Sequence, residues 1–127
     1  MAIALLVVLT EPIPGREDQY NDWYTNRHLG DVLAAAGFTA AQRFHFVPSK
    51  LSRNPPPAPY LAIYEVDADR REEAEEFLLA AVRTEAMPIS AALGPGAVTW
   101  WFESMCDRVE DGEQAGASTS RRSEAGT

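Results

Sequence analysis

Tyr24 and His28 are the two residues of this chain best suited to proton chemistry, and they sit four apart in the run Tyr20-Asn21-Asp22-Trp23-Tyr24-Thr25-Asn26-Arg27-His28-Leu29. An imidazole with an unperturbed pKa near 6.5 gives or takes a proton at neutral pH. A phenol one helical turn away can donate a hydrogen bond to a carbonyl or enolate oxygen. Arg27 adds a fixed positive charge, and Asp31, one turn further on, could orient the imidazole across the helix face. The set suits proton abstraction beside a carbonyl, β-elimination of water or ring closure, and it supplies no strong covalent nucleophile.

These residues share a side only if the segment is a helix. A four-residue step on a 3.6-residue turn rotates a side chain by about 40°, which stacks Tyr20, Tyr24 and His28 along one stripe with Asp31 about 20° from Tyr24 on the other flank. The spacing predicts a helix from about Arg16 to Ala36, with Glu17 and Asp18 at its positive end and Gly37 closing it in a left-handed conformation. Facing a cavity, the stripe is an acid/base site; facing water, it is a polar helix face. His28 lies in the C-terminal half, where a protonated imidazole also suits the negative pole, so a purely structural role stays open.

Other elements must supply the opposite wall. Residues 2–10 form an apolar run ended by turn residues, which predicts a strand buried on both faces. Phe38 to Val47 alternates like a strand, with Phe38, Ala40, Gln42, Phe44 and Phe46 on one side and Thr39, Ala41, Arg43, His45 and Val47 on the other. Bulky residues on both sides predict a central position for it. Pro48 to Pro59 reads as an exposed connection, since its prolines cannot supply ladder donors. Tyr60 to Val66 is the third strand. A second helix follows, with Asp69 and Glu72 at capping-box spacing and Ala74, Phe77, Leu78, Ala81 and Val82 as its core face. On this reading the acids from Asp69 to Glu76 face water. Pro88 breaks the pattern, and Gly94-Pro95-Gly96 introduces the fourth strand, Ala97 to Glu103.

Strand, helix, strand, strand, helix, strand is the order of the ferredoxin-like split βαβ fold, an α+β architecture with a four-stranded antiparallel sheet and two helices on one face. The other face would expose large apolar residues, more than a soluble monomer usually leaves bare, so pairing of two sheets into a homodimer is expected. The candidate substrate-binding residues are Arg27, Asp31, Arg43, His45, Tyr60, Tyr64 and Trp100. Arg43 could stabilise developing negative charge. Tyr60 and Tyr64 share a strand face, whereas Trp100 and Trp101 point to opposite faces, so at most one should line a given pocket.

Composition narrows the partners. The 127 residues carry 11 basic and 19 acidic groups, a formal charge of −8, and Lys50 is the sole lysine. That balance argues against nucleic acid and against an anionic membrane surface. No apolar run approaches the roughly 18 residues of a spanning helix. The opening run lacks the charged region and cleavage site of a signal peptide, so a cytoplasmic protein is expected. Cys106, the single cysteine, excludes an internal disulfide framework and a cysteine-cluster metal site. His28 and His45 do not make a metal-binding pair on a helix, although a single axial His would suffice for haem. No phosphate-cradling Gly-rich loop is present. The folded domain is expected to span residues 1–104. Residues 105–127, poor in apolar side chains, are expected to form a disordered tail.

With Trp23-Tyr24, His28-Leu29, Ala36-Gly37-Phe38 and Arg43-Phe44 in this order, the chain resembles the EthD-like members of the dimeric α/β-barrel superfamily over roughly residues 2–104. The resemblance implies a dimeric barrel, a cavity between sheet and helices, a role for His28 in proton transfer, and chemistry without metal or organic cofactor. Leu29-Gly30-Asp31 departs from the commoner family pattern after the His. Together these readings point to a cofactor-independent lyase or isomerase of a small apolar, aromatic or lactone-type metabolite, with His28 as general acid/base and Tyr24 as its helper. The alternatives are a cofactor-independent monooxygenase of an electron-rich aromatic and a non-catalytic binding or accessory protein for a hydrophobic metabolite.

Overall fold

In the computed structural model, which describes residues 2–112, a four-stranded antiparallel sheet runs in the order β2-β3-β1-β4. The strands are β1 (Ile3–Thr10), β2 (Ala40–His45), β3 (Tyr60–Asp67) and β4 (Val98–Glu103). Helical segments α1 (Glu17–Trp23) and α2 (Leu29–Ala36) are joined by a π turn at Tyr24–His28, and α3 (Arg71–Ala81) follows a 3-10 turn at Ala68–Arg70. This is the ferredoxin-like α+β arrangement. No helix among the described residues is long and apolar enough to cross a membrane.

Register divides the sheet into two chemically different faces. On the helix-covered face, Ala41, Tyr64, Leu6 and Trp101 form one cross-strand row, and Arg43, Ala62, Val8 and Thr99 form the next. Ala4, Leu6, Ala62, Tyr64 and Val66 are buried there beneath Tyr20, Tyr24, Val32, Ala36 and Ala74. On the other face the rows read Phe44-Leu61-Leu9-Val98, Gln42-Ile63-Val7-Trp100 and Ala40-Glu65-Leu5-Phe102. Among the described residues no helix covers these rows, and Phe44, Trp100 and Phe102 are exposed. The first strand is therefore buried on one face only, because a single layer of helices can cover only one side of the sheet.

Several expected details change. β2 is an edge strand that pairs only with β3, and its alternation reflects one face under the helices and one apolar face left open. No side-chain capping bond forms at the start of α3. Asp69 falls in the 3-10 turn, and the helix begins two residues later at Arg71. It ends at Ala81, well short of Pro88, with Val82 extended and Arg83 at φ 68°. Phe77, expected on the core face, is about half exposed, and Met87, beyond the end of the helix, is wholly buried in the core. Pro48 to Pro59 carries no regular element. Of the expected tail, residues 113–127 lie outside the described residues.

Gly37 closes the first helical stretch as its position in the sequence predicts. It takes φ 74°, ψ 24°, its N–H bonds to the Leu33 carbonyl, and Arg70 donates to its carbonyl at 3.3 Å. A side chain here would meet both a left-handed backbone and the Arg70 guanidinium, 2.9 Å from where a Cβ would stand.

Candidate functional site

The π turn determines what the first helical stretch presents to the sheet. Leu29 donates its N–H to the Tyr24 carbonyl five residues back, so one residue is inserted into the helical turn that carries the chemistry-bearing side chains. His28 consequently lies over Trp23, with ring centroids 4.5 Å apart and planes inclined by 26°, and meets Tyr24 edge-on at 4.8 Å. Trp23 is itself held by its indole N–H, which donates to the Pro88 carbonyl at 3.2 Å. Tyr20, Tyr24 and His28 do share a side, with Tyr20 meeting Tyr24 edge-on at 5.8 Å. A regular helix gives no reason to pair residues five apart, and the π turn is what makes Trp23 the platform under the imidazole.

Beneath this turn lies a cavity of about 490 Å³. Leu6, Val8, Tyr64 and Trp101 of the sheet form its floor, Tyr24, His28 and Val32 its roof, and Leu78, Leu79, Val82, Met87 and Ile89 its side. No Lys or Arg is among the lining residues. Trp100 and Trp101 both contribute, contrary to the expectation from strand alternation. Trp100 belongs to the open-face row of the edge strand β4 and still counts among the cavity's lining residues. Glu75 also lines the cavity rather than joining a wholly solvated face. It accepts the Trp101 indole N–H at 3.0 Å and pairs with Arg71, whose guanidinium also lies over the Trp101 ring at 5.6 Å.

The titratable groups around the cavity are pushed apart. Burial lowers the His28 pKa to about 4 despite the opposing pull of the Asp31 carboxylate, so its imidazole is neutral at pH 7. Its Nδ1 is buried and, among the described residues, is the buried side-chain polar atom without a hydrogen-bond partner. Burial raises Tyr24 to about 12, with the hydrogen bond from Tyr64 and the charge of Arg43 acting the other way. Burial raises Tyr64 as well. The two phenols meet at 3.5 Å, Tyr64 donating to Tyr24. That distance is long for O–H···O, so neither hydroxyl is saturated by the other. The cavity thus offers an unprotonated imidazole and two protonated phenols, a division of acid and base set by environment.

The remaining candidates lie elsewhere. Arg27 and Asp31 pair with each other at 2.9 Å beside the solvent, with the Arg27 side chain half exposed, so Asp31 does not orient the imidazole. Arg43, His45 and Tyr60 line a separate shallow depression with Asn21 and Phe44, outside the cavity. Cys106 is exposed, and no cluster of three or more potential metal-ligating His, Cys, Asp or Glu side chains occurs among the described residues.

Comparison with protein-family models finds no match, and neither does comparison with curated proteins. Among solved structures, the chain is similar to an ethyl tert-butyl ether D (EthD) family protein from Bacillus halodurans C-125. The TM-score is 0.52 at 14% identity, over 83% of this chain and 100% of that one. The chain has an EthD-like fold. An EthD-like protein from Ralstonia eutropha JMP134 aligns over 83% of this chain and 95% of its own, with a TM-score of 0.49 at 15% identity. In this chain the cavity between the sheet and the helices is where Tyr24, His28 and Tyr64 meet.

Proposed function

We propose that this protein is a lyase or isomerase that moves a proton on a small, neutral, apolar substrate, aromatic or lactone-like, held in the cavity under the π turn. The observation that carries this reading is the neutral His28 imidazole, with its unpartnered Nδ1, lining the same predominantly apolar cavity as the paired phenols Tyr24 and Tyr64. His28 takes the proton next to a carbonyl, and a phenol hydroxyl donates to the oxygen on which charge develops. Both roles come from groups of this chain, so the step needs no added cofactor. The absence of Lys and Arg from the lining favours a neutral ligand over a carboxylate, because a buried anion without a partner is heavily penalised.

The sheet's open face supports a second copy of the chain as its cover. Its three rows are apolar apart from Gln42 and Glu65, and the same surface on another copy offers matching chemistry. A cytoplasmic setting agrees with the acidic composition and single cysteine.

Hydrogen–deuterium exchange in D₂O tests the chemistry directly. A panel of small aromatic ketones, β-dicarbonyl compounds and lactones is incubated with the protein, and loss of the proton beside the carbonyl is followed by NMR. Exchange that depends on His28 supports the reading. Binding without exchange would instead make this a carrier, and consumption of O₂ by an electron-rich aromatic would make it a monooxygenase.

A further inference from the structure

Arg43 stands outside the cavity yet touches one of its walls. It projects from β2 towards the helices, where its guanidinium donates to Asn21 Oδ1 and Thr25 Oγ1, each at 2.9 Å. Those bonds hold its Cζ 4.6 Å from the Tyr24 ring centroid and 5.4 Å from the centroids of both Tyr20 and Tyr60. A fixed positive charge is thereby enclosed by three phenols, nearest the one whose hydroxyl meets Tyr64 at the cavity.

We propose that Arg43 is a positioning residue that works through Tyr24, holding its ring in place and strengthening its hydroxyl as a hydrogen-bond donor to a ligand oxygen. The proposal rests on the cavity under the π turn being the binding site. A cation over an aromatic face is attracted to the ring's electron density and stabilises negative charge developing on the phenol oxygen. Tyr64 donates to Tyr24, so the Tyr24 proton is uncommitted within that pair and available to a ligand. The other titratable groups packed around Tyr24 are Tyr20 on α1, Tyr64 on β3 and the neutral His28, so Arg43 is the full positive charge among them. The ligand served is one presenting a ketone, lactone or phenolic oxygen, on which charge grows as His28 removes a proton.

The test reads Tyr24 itself, without substrate. 3,5-Difluorotyrosine placed at position 24 gives a fluorine signal whose shift reports ionisation, with fluorination bringing the titration into an accessible pH range. Arg43→Gln should raise the midpoint by about one pH unit, and Arg43→Lys should recover part of the shift because it keeps the charge while losing the planar fork. In the otherwise unaltered protein, the label at position 24 should ionise at lower pH than the same label at position 64. This comparison needs no Arg43 variant to fold. Equal midpoints in the parent and Arg43→Gln proteins, or earlier ionisation at position 64, would overturn the proposal. A purely structural Arg43 would lower the melting temperature and leave the midpoint in place. Because no substrate is involved, failure here is separable from failure of the exchange experiment with His28.

Discussion

The imidazole of His28 is stacked on the indole of Trp23, 4.5 Å away and five residues earlier in the chain. This contact belongs to the π turn, and it places the ring among apolar neighbours that penalise its charged form. The same contact links the conformation of the helix to the protonation state of the residue on which the chemistry depends.

Stability should therefore depend on pH through His28. Its pKa falls from an ordinary 6.5 in the unfolded chain to about 4 in the folded one, so the unfolded chain binds more protons between these values. The contribution is fully present above pH 6.5 and is lost as pH falls towards 4, by at most roughly 3 kcal/mol. Thermal unfolding followed across this window should show a shallower pH dependence for His28→Gln than for the parent. Parallel curves would show that His28 is not buried in the neutral form.

Exchange activity should report the same residue. With His28 unprotonated down to low pH, the acidic limb of the rate profile should have its midpoint nearer 4 than 6.5. His28→Gln should reduce the rate by about 10²- to 10⁴-fold while the cavity still binds its ligand, as measured by calorimetry. An unchanged rate would remove His28 from the mechanism.

Replacing Trp100 or Phe102 on the open face of the sheet should disrupt self-association. Sedimentation velocity should show a dimer for the parent and a monomer for Phe102→Lys, with the far-UV spectrum retained, since a charge in each copy would be buried at the contact. A monomeric parent would remove the dimer from the proposal.

Gly37→Ala should destabilise the fold by about 1–2 kcal/mol in denaturant titrations. The left-handed backbone and the nearby Arg70 guanidinium both oppose a methyl group there. A neutral outcome would mean that this helix end relaxes freely.

Much of the fold was legible from local pattern. The apolar run of β1, the alternation of β2 and Gly37 after Ala36 place these elements within a few residues, because burial periodicity and left-handed caps are local constraints. What misled was equally physical. Bulky residues on both sides of Phe38–Val47 resembled a central strand, but the helix-facing Arg43 and the open-face Phe44 are what an edge strand carries when its uncovered face is also apolar. Asp69 and Glu72 had capping-box spacing, yet a 3-10 turn intervened.

The site divides along the same line. The sequence by itself determined that Tyr20, Tyr24 and His28 would share a side, since a short helical step leaves nearby residues aligned whatever they pack against. Tertiary structure alone placed Tyr24 beside Tyr64 and set Arg43 over the Tyr24 ring. It also assigned Glu75 to the Trp101 indole. Those assignments depend on strand register, on where α3 ends and on one residue inserted into a helical turn. They join residues far apart in sequence, or shift neighbours by one position, and no local periodicity encodes them.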